Sequence, residues 1–247
     1  MKIKKTIAVV LLGLLVVASS AFCVQVTLHT SDDSFVSGAG PNANYGGNTF
    51  MRIRHQSASD WGNYFPLAKF DLSPLPSNIV VNSARMRYYV ALTDDGGPGW
   101  PAADDFPAVA AYNNLQDWAE GTVTYNNRPT SDAAAADTLD HFGLISVDEV
   151  YFTSPNTISS GGWLEYVGAG MVSLVQDWAN GITPNYGVTI KGTGDYTDTS
   201  RYFDLQSKEN GNPAVHPTII VDYTVIPEPA TFGLIGCLVA LFIARKR

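Results

Sequence analysis

Apolar and polar residues alternate with period two along several short stretches of the chain. The cleanest is Ser83 to Leu92, where Ala84, Met86, Tyr88 and Val90 share one face and Arg85, Arg87 and Tyr89 the other. Phe50 to Arg54 repeats the pattern. Val24 to Leu28, Phe65 to Phe70, Val109 to Tyr112, Gly162 to Val167, Val188 to Lys191, Arg201 to Leu205 and Pro217 to Val225 also read as strands. Turn signals punctuate them: Asn44-Tyr45-Gly46-Gly47, Ser73-Pro74-Leu75-Pro76, Asp94-Asp95-Gly96-Gly97, Asn126-Asn127-Arg128-Pro129 and Asn210-Gly211-Asn212-Pro213. One segment changes period. Met171, Val172, Leu174, Val175 and Trp178 stand at helical spacing, and Gly181 follows as a stop. The pattern predicts an all-β, jelly-roll-like β-sandwich with one short capping helix.

The two ends read differently from the body. Met1 to Lys5 is basic, Thr6 to Val17 is almost wholly apolar, and Ala18, Ser19, Ser20 and Ala21 are small. That order predicts a secretory signal peptide over residues 1–21. The body then covers 22–226 as one domain, and 227–247 form a tail. The tail begins Pro227-Glu228-Pro229, runs apolar from Thr231 to Ala244 and ends Arg245-Lys246-Arg247. An apolar helix of that length measures about 21 Å, short of the roughly 30 Å hydrocarbon core, so it spans only marginally. The basic end favours the cytoplasmic side. This order of parts resembles the PEP-CTERM sorting signal of Gram-negative bacteria. The resemblance implies an exosortase-type sorting enzyme as partner, transient membrane contact through the C-terminal helix, and processing at or near Pro227-Glu228-Pro229. It also implies delivery to the cell envelope, outer surface or extracellular matrix. Cys23 and Cys237 fall at the two ends, so the fold must hold without a disulfide.

Charge sharpens the picture. The 247-residue chain has a formal charge of −8, but six of its bases are terminal. Between Phe22 and Pro227 nine bases face 22 acids, a net of −13. A surface so acidic repels phosphate backbones and excludes nucleic acid as the expected partner.

Read in order, the body shows Asp33-Ser34-Phe35-Val36, Pro41 to Gly46, Met51-Arg52-Ile53-Arg54 and Ala68 to Ser73. Ser83 to Tyr89 follows, then Trp118-Ala119-Glu120-Gly121-Thr122-Val123-Thr124-Tyr125-Asn126-Asn127-Arg128-Pro129, then Val172 to Gly181 and Asn212-Pro213. This succession, from about Val26 to Thr224, resembles the DNRLRE domain family, grouped with carbohydrate-binding module family 96. Tyr125 stands where Trp is usual, and Gln206-Ser207-Lys208-Glu209 stands for a Ser-Arg-Glu-like run. The resemblance implies a non-catalytic jelly roll on secreted or surface proteins, some of which bind acidic polysaccharides such as alginate.

Candidate chemistry follows from residue type and spacing. Arg52 and Arg54 share one strand face, as do Arg85, Arg87 and Tyr89. If those strands are neighbours, they make a basic stripe whose guanidinium forks suit uronate carboxylates, with Tyr89 against a sugar ring. Lys69 is a further basic candidate. Trp61 and Trp100 lie in turn-rich loops and are candidate stacking platforms, whereas Trp118, Trp163 and Trp178 sit in patterned elements and are expected in the core. Asp94, Asp95, Asp104 and Asp105 cluster on one loop and are candidate Ca²⁺ ligands, although their spacing is not that of an EF-hand. Asp32 and Asp33 form a smaller acidic pair. Catalysis finds no motif: His29, His55, His141 and His216 lack metal-ligand spacing, and there is no Gly-x-Ser-x-Gly elbow. The expectation is an exported protein, not an enzyme, that binds extracellular polysaccharide. A structural surface protein without a sugar site and a polysaccharide-degrading enzyme are the alternatives.

Overall fold

The computed structural model describes residues 23–54, 63–94, 108–129, 148–151, 161–193 and 202–226. Ten strands, one α-helix and two short 3-10 helices lie within them. The strands are β1 (Cys23–Ser37), β2 (Phe50–Ile53), β3 (Tyr64–Phe70), β4 (Ile79–Asp94), β5 (Ala108–Asn113), β6 (Asp148–Tyr151), β7 (Trp163–Tyr166), β8 (Val188–Thr193), β9 (Tyr202–Gln206) and β10 (Thr218–Val225). The helix, α1, spans Ala169–Ala179. The strand order is β2-β9-β4-β10-β1-β3-β8-β5-β6, with β7 also on β4, and the strand pairs are antiparallel.

Two long strands turn this ribbon into an all-β sandwich. β1 pairs with β10 through His29, shifts register between Thr30 and Asp32, and continues against β3. β4 pairs first with β10 and β7, shifts between Val90 and Leu92, and ends against β9. Such bulges bend a strand and let it change sheets. A backbone bridge between Arg54 and Tyr64, with N–H to O distances of 3.2 and 2.9 Å, joins β2 to β3.

The period-two reading of β4 holds in the fold. Ala84, Met86, Tyr88 and Val90 are 4, 0, 0 and 0% exposed. They meet Ile219 and Val221 of β10, Phe203 and Leu205 of β9, and Met51 and Ile53 of β2 in one core. α1 adds Met171, Leu174, Val175 and Trp178, an i, i+3, i+4, i+7 stripe. Gln176 fixes the helix to the start of β4: its Oε1 accepts from Val81 N–H at 2.8 Å and its Nε2 donates to the Ile79 carbonyl at 3.1 Å. The helix ends at Gly181, whose φ of +66° is a left-handed conformation.

A second, smaller core covers the outer face of β3. Val36, Phe65 and Leu67 pack there against Trp118, Val123 and Tyr125 of the segment after β5. Gly187 lets β8 approach β3: with φ +76°, a Cβ there would lie 2.1 Å from the Ala68 carbonyl oxygen. Two features go beyond the sequence pattern. β1 extends past the expected end at Leu28 to Ser37, and β6 pairs with β5. Among the described residues no helix is long and apolar enough to cross a membrane. The expected signal peptide and sorting tail lie outside the described residues.

Candidate functional site

β4, β7 and β10 present one open face. On β4, Arg85, Arg87 and Tyr89 point away from the buried row. Arg87 sits opposite Thr218 of β10 and Glu165 of β7, and Tyr89 opposite Trp163. The Arg87 guanidinium lies 4.3 Å from the Trp163 ring centroid, and its Nε donates to Thr218 Oγ1 at 3.0 Å. Tyr89 meets the same indole edge-on, at 5.2 Å and 81°. Arg85 reaches Glu165 at 3.7 Å, a loose pair between side chains 51 and 36% exposed. At the far end of the face, Asp222 accepts from Ser83 Oγ at 2.6 Å and Gln25 Nε2 at 2.9 Å. The Ser83 hydroxyl, then the Gln25 amide, hold its carboxyl below the usual range, and the charge of Arg85 adds to this. Among the described residues no carboxylate lies within ion-pair distance of Arg87. The face therefore offers a guanidinium braced by an indole, a second exposed guanidinium and a phenol.

The other basic candidates are elsewhere, and Arg52 and Lys69 are occupied. β9 lies between β2 and β4, so Arg52 and Arg54 do not join Arg85 and Arg87 in one stripe. The expected stripe fails because sequence spacing sets the face of a residue but not the neighbour of its strand. Arg52 makes a bidentate pair with Asp204, 2.8 and 2.9 Å, and Asp204 is only 6% exposed. Its guanidinium also lies 3.7 Å from the Tyr202 ring centroid and 5.2 Å from that of Phe50. The hydrogen bonds to Asp204 raise its pKa further against the opposing effect of burial. Arg54 is half-buried in the bridge to Tyr64. Lys69 points into the second core, where Nζ donates to Asp117 at 2.7 Å and to the Trp118 carbonyl at 2.5 Å. The bond from Lys69 holds Asp117 below the usual carboxylate range.

Trp61, Trp100, Asp95, Asp104, Asp105, Pro227, Glu228 and Pro229 lie outside the described residues, and Asp94 is the last residue of β4. Trp118 and Trp178 are buried, as their patterned positions imply, at 7 and 4% exposure. Trp163 is not: it stands on the open face, half-buried. The signal for it was present. In Trp163-Leu164-Glu165-Tyr166, Leu164 and Tyr166 are fully buried, so the alternation turns Trp163 and Glu165 outward. A shallow hollow of about 340 Å³ beside Asp117, Trp118 and Ala119 contains one carboxylate and, among the described residues, no second titratable group.

The family model of carbohydrate-binding module family 96 matches residues 24–143. No curated protein matches the chain. The match ends before β6, yet β8, β9 and β10 from the remainder of the chain fill interior positions of the same strand order.

Proposed function

From the match of residues 24–143 to carbohydrate-binding module family 96, we propose that this protein binds extracellular acidic polysaccharide and is not an enzyme. The open face of β4 and β7 is the contact surface. The observation that carries this reading is Arg87: it is braced on Trp163 and free of described carboxylates, next to Arg85 and Tyr89. Guanidinium groups bind sugar carboxylates through paired, charge-assisted hydrogen bonds. An indole and a phenol supply apolar surface for the faces of pyranose rings. The face spans β7, β4, β10 and β1, with Trp163 at one side and Gln25 and Asp222 at the other, which suits an extended chain.

The protein in this reading is exported through residues 1–21, folds over 22–226, and is sorted by an exosortase-type enzyme acting at Pro227-Glu228-Pro229. Its place is the outer surface or matrix of a Gram-negative cell. A structural surface protein without a sugar site is the second reading. The capture of Arg52 by Asp204 and of Lys69 by Asp117 favours it, since both bases hold the fold together.

Binding of the full chain to a panel of neutral and uronate polysaccharides tests the proposal. Uronate polymers should bind, and binding should weaken as salt is raised from 20 to about 300 mM, as screening shortens the reach of exposed charges. Absence of binding to every polymer supports the structural reading instead.

A further inference from the structure

Three carboxylates and one ammonium meet where β1, the segment after β5 and the turn after β9 come together. One carboxylate oxygen from each of Asp33, Glu120 and Glu209 lies within 4.8 Å of the other two. Lys208 Nζ contacts Glu120 at 2.8 Å and also donates to Glu209. Glu120 Oε1 accepts from the Asp33 N–H at 3.0 Å, and Asp33 Oδ2 accepts from the Lys208 N–H at 2.8 Å. Two oxygens are left over. Asp33 Oδ1 and Glu209 Oε2 are buried and have no N–H or O–H donor among the described residues. Asp33 itself is 0% exposed.

An unsatisfied buried carboxylate oxygen is costly, and two in one cluster of carboxylates are more so. Either a proton or a metal ion would satisfy both. The ammonium of Lys208 already occupies the cation position between Glu120 and Glu209, so little room and few ligands remain for a divalent ion, which takes six to eight oxygens as Ca²⁺. A single proton completes the set.

We propose that Asp33 and Glu209 share one proton at neutral pH, and that this proton, with Lys208, latches the turn after β9 onto β1. The groups around Asp33 agree. Burial first, opposed by the Lys208 N–H and helped by Glu209 and the charge of Glu120, raises its carboxyl to about 8. Burial also works on Glu209, but hydrogen bonds from Lys208 and Asp33 overcome it and hold that carboxyl low. Tyr88, fully buried on β4, is kept neutral by its own burial. Lys208 stays charged because its bonds to Glu120 and Glu209 outweigh desolvation.

The linkage has a definite sign. Unfolded Asp33 loses its proton near pH 4, and the folded protein keeps it to about 8. The latch stabilises the fold fully below that lower value and is lost as pH rises toward 8. One retained proton makes unfolding about tenfold more favourable per pH unit across this window. Asp33→Asn replaces the shared proton by a permanent amide donor to Glu209. In denaturant titrations of the full chain from pH 5 to 8, wild type should lose about tenfold in stability per unit relative to Asp33→Asn. His216, near the same turn, is common to both proteins and cancels in the difference. Parallel pH profiles would overturn the latch. If Asp33→Asn does not fold, Glu209→Gln takes away the charge that helps to raise Asp33 and offers an amide donor in place of the proton, so it should make the same slope shallower without abolishing it. Infrared spectra of wild type supply an independent reading: a protonated carboxylic acid band at pH 6 that fades as pH passes 8. No such band, or its replacement at pH 6 by adding millimolar CaCl₂ with a gain in stability, rejects the shared proton.

Discussion

Two segments, Arg52-Ile53-Arg54 at the end of β2 and Arg85-Met86-Arg87 in β4, share one pattern: an arginine pair flanking an apolar residue that is fully buried in both. Their surroundings differ. Across from Arg52 stands Asp204, 152 residues away in sequence, and the pair closes as a bidentate ion pair between two aromatic rings. Across from Arg87 stand Thr218 and Glu165, and the guanidinium leans on Trp163 instead of a carboxylate. Arg52 secures the contact of β2 with β9. Arg87 is held in place with charge to spare. The residue opposite on the neighbouring strand decides whether an arginine serves the fold or a ligand.

Breaking the closed pair should have the largest effect. Asp204→Ala leaves Arg52 partly buried without its carboxylate and should cost about 3 kcal/mol of stability, read from denaturant unfolding. The folded fraction should bind polysaccharide as wild type does. On the open face the order is reversed. Arg87→Ala should weaken uronate binding about tenfold while leaving the unfolding free energy within about 0.5 kcal/mol of wild type. Trp163→Ala should weaken it about fivefold, because it removes both an apolar platform and the ring that orients Arg87. The smallest effect sharpens the comparison from the other side. Glu165→Gln releases Arg85 from its loose partner and should strengthen binding about two- to threefold, visible as a small drop in Kd at low salt. A tenfold change from Glu165→Gln would mean that Glu165 itself touches the ligand.

Much of the fold was legible from local pattern. β4 and α1 announce themselves because one buried face recurs at period two or 3.6. The second half of β1 does not, because Thr30 to Asp33 is polar. Asp33 is nevertheless fully buried, through partners 87 and 175 residues away that no local window contains. Among the described residues β6 pairs only with β5, at the margin of the sheet, where patterning is weakest. The site was legible in half. Spacing set Arg85, Arg87 and Tyr89 on one face, but which strands flank them is a property of topology. Trp163 was misplaced by residue type, since tryptophan in a patterned strand suggests core. Its phase against Leu164 and Tyr166 says otherwise. The tetrapeptide Gln-Asp-Trp-Ala occurs at 116–119 in an irregular segment and at 176–179 at the end of α1. Both tryptophans are buried in different cores, so four identical residues take their structure from their flanks.

The central claim is that the β4–β7 face, and not the β2–β9 pair, meets the polysaccharide. Calorimetric titration of a uronate polymer into the full chain, its Arg85→Ala/Arg87→Ala variant and its Arg52→Ala variant tests it most directly. The account predicts loss of binding in the β4 double variant and wild-type affinity in folded Arg52→Ala. Wild-type affinity in the β4 double variant would contradict it.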